Sequence, residues 1–94
     1  MNDAAPNLDR ETALTVASGF RFQWEPAQNN YVLLYPEGMI TLNDSAAEIL
    51  KLCDSRSARE IVEALHEKFP DAELEADVLE FLEETYERGW IQHV

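Results

Sequence analysis

Few side chains in this sequence could do chemistry. They are two histidines, His66 and His93, one thiol, Cys53, a serine at a helix start, Ser45, and nineteen carboxylates. No pair among His66, His93 and Cys53 has zinc-finger spacing, and three such residues are too few to close a structural zinc site. His66 falls among polar helix residues, the pattern of a solvated side chain. Paired catalytic carboxylates need a cleft that moves their pKa values apart, and these acids fall on helix surfaces. The pattern offers no base to activate Ser45, which reads as part of a helix cap. Gly19, Gly38 and Gly89 are isolated, so no phosphate-cradling loop is expected. These residues argue against an enzyme, a resident metal or a cofactor, and leave a binding module.

Size and charge narrow the module further. Ninety-four residues make one small domain with one core and no room for a deep enclosed site. The 46% hydrophobic share is that of a folded globular chain. Seven basic and nineteen acidic residues give 7 − 19 = −12, a charge that phosphates and anionic membrane surfaces repel. A lone cysteine cannot form an internal disulfide, which fits a reducing compartment. The N-terminus has no basic segment followed by an apolar one, and no apolar run approaches the ~20 residues needed to cross a bilayer. The expectation is a cytoplasmic protein whose partners are neither nucleic acid nor membrane.

Several elements must position whatever binds. Residues 1–18 show no strong period and are expected to form a flexible arm; residues 19–94 form the single domain. In "FRFQWE", Phe20, Phe22 and Trp24 alternate with polar residues, a half-buried strand. "PAQNN" is turn chemistry, with Asn29 and Asn30 tolerant of left-handed backbone. "YVLLY" lacks alternation and reads as a strand covered on both faces. "PEG" closes a second hairpin, with Gly38 free to take a positive φ, and "MITL" is the third strand. The period then changes. Asn43 or Asp44 caps a helix with Ala46, Ile49, Leu50 and Cys53 inward. "DSR" breaks it, and Ser57 and Glu60 form a capping box for a second helix with Ile61, Val62, Leu65 and Phe69 inward. A third helix spans roughly Leu74 to Arg88, ended by Gly89, and the "WIQHV" tail folds back onto the body. The expected fold is α+β, a three-stranded antiparallel meander followed by three helices (βββααα).

Two of these elements carry unspent binding capacity. On the third helix Glu73, Asp77, Glu80, Glu84 and Glu87 fall at spacings of four, three, four and three, a stripe that must face water. Leu74, Val78, Leu79, Phe81, Leu82 and Tyr86 cover an arc of roughly 160°, wider than the ~100° a surface helix needs to dock. The edge formed by Leu79, Leu82 and Tyr86 is either wrapped into the core or the rim of a groove. The strand Met39–Leu42 has neither charge nor proline to blunt its edge. Either another element covers that edge, or a peptide adds to it as a fourth strand.

The residues then carry a family likeness. The Tyr35-Pro-Glu-Gly38 turn, the Leu-Asn-x-Ser-Ala-x-x-Ile-Leu helix start at Leu42–Leu50, the Asp-Val-x-x-Phe-Leu run at Asp77–Leu82 and the Gly89-Trp90 ending resemble the PqqD family of pyrroloquinoline quinone (PQQ) biosynthesis. The likeness covers about Phe20 to Ile91. One departure is Asp54-Ser55-Arg56, where the family usually reads Asp-Gly; it falls on a turn. The resemblance implies a winged-helix-like peptide chaperone, a recognition element for a ribosomally made and modified peptide. It would bind the precursor peptide PqqA and present it to the radical S-adenosylmethionine enzyme PqqE. Carried onto this chain, the peptide would lie beside Met39, Ile40, Thr41 and Leu42 and against Val78, Leu79, Leu82 and Tyr86.

Two rivals follow from the same elements. A DNA-binding winged helix is opposed by eight acids against one base over Asp71–Arg88. A homodimerisation or structural interaction domain would pair two copies through the same open edge, so monomer and homodimer are both compatible with the sequence.

Overall fold

The computed structural model describes residues 8–94. Six strands and three helices follow in the order β1 (Ala13–Val16), β2 (Arg21–Glu25), β3 (Asn30–Tyr35), β4 (Gly38–Thr41), α1 (Asp44–Lys51), β5 (Asp54–Ser57), α2 (Ala58–Lys68), α3 (Glu75–Glu87) and β6 (Ile91–His93). They form two antiparallel three-stranded sheets, β2-β3-β4 and β5-β1-β6. The expected meander and three helices are present. The simple βββααα order is not, because β5 separates α1 from α2, β6 closes the chain, and both pair with β1.

That pairing corrects the expected N-terminal arm. Residues 1–7 lie outside the described part, but Ala13–Val16 is the middle strand of the second sheet, with Leu14 fully buried. Four residues are too few to show a period, so the strand carried no signal of its own. It exists because β5 and β6 each need a partner, and it supplies both. The N–H of Ala17 also bonds the Trp90 carbonyl at 2.8 Å, and Val94 N–H bonds Ala13 O at 2.9 Å.

The core draws one side chain from each of six elements. Leu14, Leu33, Leu50, Ile61, Leu82 and Ile91, from β1, β3, α1, α2, α3 and β6, are at most 1% exposed. Val32 and Leu33 point to opposite faces of β3 and are both 0% exposed, so the lack of alternation in "YVLLY" has the physical cause expected. Trp24 and Phe69 depart from expectation, with both more than 40% exposed. Trp24 sits on the edge strand β2 and packs edge-on to Tyr31, 5.2 Å between centroids, while Phe22 stacks on the same ring at 4.9 Å.

Local chemistry sets the helix ends. Asn43 caps α1, its Oδ1 accepting the Ala46 N–H at 2.8 Å. The Ser57–Glu60 capping box is complete, with Ser57 Oγ accepting the Glu60 N–H at 3.2 Å and Glu60 Oε1 accepting the Ser57 N–H at 2.9 Å. Ser57 is itself buried. Ser57→Ala is therefore expected to cost about 1–2 kcal/mol, the upper half of the usual range for lost caps, read as a lower urea midpoint at unchanged slope. Gly89, at φ +80°, ends α3 in a Schellman motif, where its N–H bonds Tyr86 O at 3.1 Å and Trp90 N–H bonds Thr85 O at 2.9 Å. Asn29 takes the left-handed backbone expected of it (φ 52°), whereas Asn30 and Gly38 keep ordinary φ.

Ser55 is the strained position. The register of β1 with β5 pairs Leu14 with Arg56 and Thr15 with Asp54, so Ser55 is the extra residue of a bulge, at φ +93°. A side chain there costs about 1–3 kcal/mol that glycine avoids, and glycine's extra freedom in the unfolded chain returns about 0.5–1 kcal/mol of that. Ser55→Gly is therefore expected to raise the thermal midpoint by several degrees, a direction opposite to most surface substitutions.

Cys53 is 4% exposed, its Sγ lying 3.7 Å from the Ile49 carbonyl. Burial, and then the nearby Asp54 carboxylate, push its thiol up to about 12. It is an inert core side chain.

Candidate functional site

The edge of β4 can be described bond by bond. The Leu42 N–H bonds Tyr31 O at 3.0 Å. Antiparallel pairs alternate between bonded and non-bonded, so Leu33–Ile40 and Tyr35–Gly38 are the bonded pairs of the β3–β4 register, while Val32–Thr41 and Leu34–Met39 are not. The N–H and C=O groups of Met39 and Thr41 consequently point away from β3. Among the described residues no strand lies on that side. The side chains alternate the other way, with Leu42 buried, Ile40 half-buried toward the helices, and Met39 and Thr41 exposed.

Beside the end of this strand is a hollow of about 610 Å³. Asn43, Ala46 and Ile49 of α1 and its cap form one wall, Leu74, Val78 and Phe81 of the third-helix segment the other, and Phe69 stands at the rim. Asn43, two residues past Thr41, brings one wall of the hollow close to the end of β4 along the chain. The polar fringe of the hollow includes Asp44, Asp77 and Glu48. The Glu48 carboxyl is held below the usual carboxylate range, first by Lys68, whose Nζ is 2.8 Å away, and then by Lys51 at 3.3 Å.

Not all the residues named from sequence meet here. Met39, Ile40 and Thr41 lie in β4, Leu42 is the buried residue just after it, and Val78 lines the hollow. Leu82 is 0% exposed and belongs to the core. Leu79 lies on the opposite flank of α3, beside Val62 of α2, and the Tyr86 ring packs on His93 of β6 at 5.1 Å. The helix face toward α1 is instead Leu74, Val78 and Phe81. These belong to the same 160° arc, at its other edge, so the periodicity contained the right residues without saying which edge met the strand. Asp77, counted in the water-facing stripe, is exposed but borders the hollow.

Among the described residues no group of three or more His, Cys, Asp or Glu side chains is arranged to hold a metal ion, and no helix is long and apolar enough to cross a membrane. The arrangement can do one thing well, which is to pair main chain to main chain and seat apolar side chains next to the pairing.

Comparison with known proteins bears on what is paired. Residues 30–91 match the family model described as coenzyme PQQ synthesis protein D (PqqD). A protein of Azotobacter vinelandii named PqqA binding protein is 64% identical over 76 residues, covering 79% of this chain and 83% of the relative. One of the same name from Pseudomonas paraeruginosa is 53% identical over 89 residues, covering 93% and 95%. The solution NMR structure of the PqqD truncation of Methylobacterium extorquens PqqCD is similar with a TM-score of 0.69 at 28% identity, over 92% of this chain and 95% of that one. It is described as a functional, stand-alone recognition element for ribosomally synthesized and post-translationally modified peptides.

Proposed function

The chain belongs to the PqqD family, and from that premise we propose that it binds the PQQ precursor peptide PqqA as a strand added to β4 and presents it to the radical enzyme PqqE. One observation carries the reading. The Met39 and Thr41 main-chain groups face outward on a strand without charge or proline, next to an apolar hollow. The names of the relatives support the choice of peptide. Main-chain bonds to Met39 and Thr41 would give affinity, and apolar side chains seated against Val78 and Phe81 would give selectivity.

In this reading the protein works in the cytoplasm without turnover of its own, and β2-β3-β4 with the helices is a winged-helix-like unit. Titration calorimetry with synthetic precursor peptide tests it, with a scrambled peptide as control. Saturable one-to-one binding of the first and not the second is expected. No saturable heat, combined with a concentration-dependent dimer in sedimentation, would favour the homodimer reading of the same edge.

A further inference from the structure

A second and larger groove lies on the other flank of α3. It encloses about 1200 Å³ between α2 and α3. Its floor is apolar, made by Val62, Leu74 and Ala76, with Leu79 beneath. Six exposed glutamates stand around that floor, Glu63 and Glu67 on α2, Glu73 before α3, and Glu75, Glu80 and Glu83 on α3. Among the described residues, Arg10 and His66 are the other ionisable side chains lining it. Of these six glutamates only Glu63 has, among the described residues, a cation at ion-pair distance, Arg59 Nη1 at 4.0 Å.

We infer that this groove docks the apolar face of a basic amphipathic helix from a second protein. The volume exceeds what a small ligand fills, and a trough between two helices with an open apolar floor is the shape that receives a helix. The rim decides which helix. Six carboxylates lining one groove repel; lysines or arginines flanking an apolar stripe relieve that repulsion as the stripe buries the floor. An acidic or neutral helix would leave it in place. The inference rests on the peptide reading in one respect only, that a protein presenting a bound peptide needs another surface for the recipient. Leu74 and Ala72 form the ridge between groove and hollow, so the two surfaces are adjacent but separate.

The test uses a synthetic amphipathic helix of lysine and leucine, with its glutamate–leucine counterpart as control, and follows backbone amide chemical shifts of the whole protein. Saturable shifts confined to the groove-facing parts of α2 and α3 are expected, absent with the acidic control. Glu80→Lys/Glu83→Lys is expected to weaken binding about tenfold or more at low ionic strength. Both side chains are exposed, and lysines there gain the oppositely charged neighbours Asp77, Glu84 and Glu87, so the fold is kept. Precursor-peptide titration of the same variant should be unchanged. Ala76→Asp, at the exposed floor, should weaken binding of the lysine–leucine helix independently of the rim. Shifts scattered over every acidic face, or affinity that survives both variants, would overturn the inference. Failure of the precursor peptide to bind, with groove binding intact, would instead count against the β4 reading alone.

Discussion

Thr41→Pro is expected to weaken peptide binding tenfold or more in titration calorimetry while leaving the far-ultraviolet circular dichroism of the domain unchanged. The Thr41 amide faces away from β3, so losing it breaks no bond of the sheet. It does remove one of the two outward donors of β4, and the ring stands where an incoming strand must approach. One lost main-chain bond is worth about 0.5–1.5 kcal/mol, and the steric block adds to it, so a loss of tenfold or more in affinity follows. Ile40→Pro is the informative contrast. Ile40 belongs to a bonded pair with Leu33, so proline there breaks a bond within the sheet and lowers stability first. A folded Thr41→Pro protein with the affinity of the natural chain would remove strand addition at this edge from consideration.

Which of the two residues to change could not be read from the sequence. "MITL" shows that a short, unprotected strand exists, but not which of its amides are spent on β3. That depends on register, and register followed only once Leu42 was seen bonded to Tyr31. The same limit applied to α3. Its charge stripe and apolar arc were legible at 100° per residue, as were the capping box at Ser57 and the glycine stop at Gly89. Which edge of the arc met the strand was not, because the rotation of a helix about its axis is fixed by what packs on it. Leu82, at the centre of the arc, went to the core; Phe81 at one edge went to the hollow; Leu79 at the other went to the acidic groove. The second sheet was invisible for another reason. Its strands of three or four residues, β1, β5 and β6, come from three separated stretches, and each is stabilised by contacts far away in the chain.

The second sheet sets the other large effect. Leu14→Ala is expected to cost about 2–5 kcal/mol, the range for a leucine truncated in a packed core. Leu14 is 0% exposed, sits in the strand that pairs with both β5 and β6, and shares its cluster with Ile61, Leu82 and Ile91. A domain of this size has about 5–15 kcal/mol in total, so the variant loses a large fraction of its stability and roughly ten to thirty degrees of thermal midpoint. Thr15→Ala, in the same strand but only half-buried, removes little apolar contact and should shift the midpoint by a few degrees at most. Leu14 is in neither sheet β2-β3-β4 nor the hollow, so peptide affinity measured where the variant is still folded should match the natural chain. A Leu14→Ala protein as stable as its parent would mean that β1 docks on the domain without completing its core. If instead the variant is folded but binds peptide weakly, the two sheets are coupled, and β1 supports the β4 edge as well as the core.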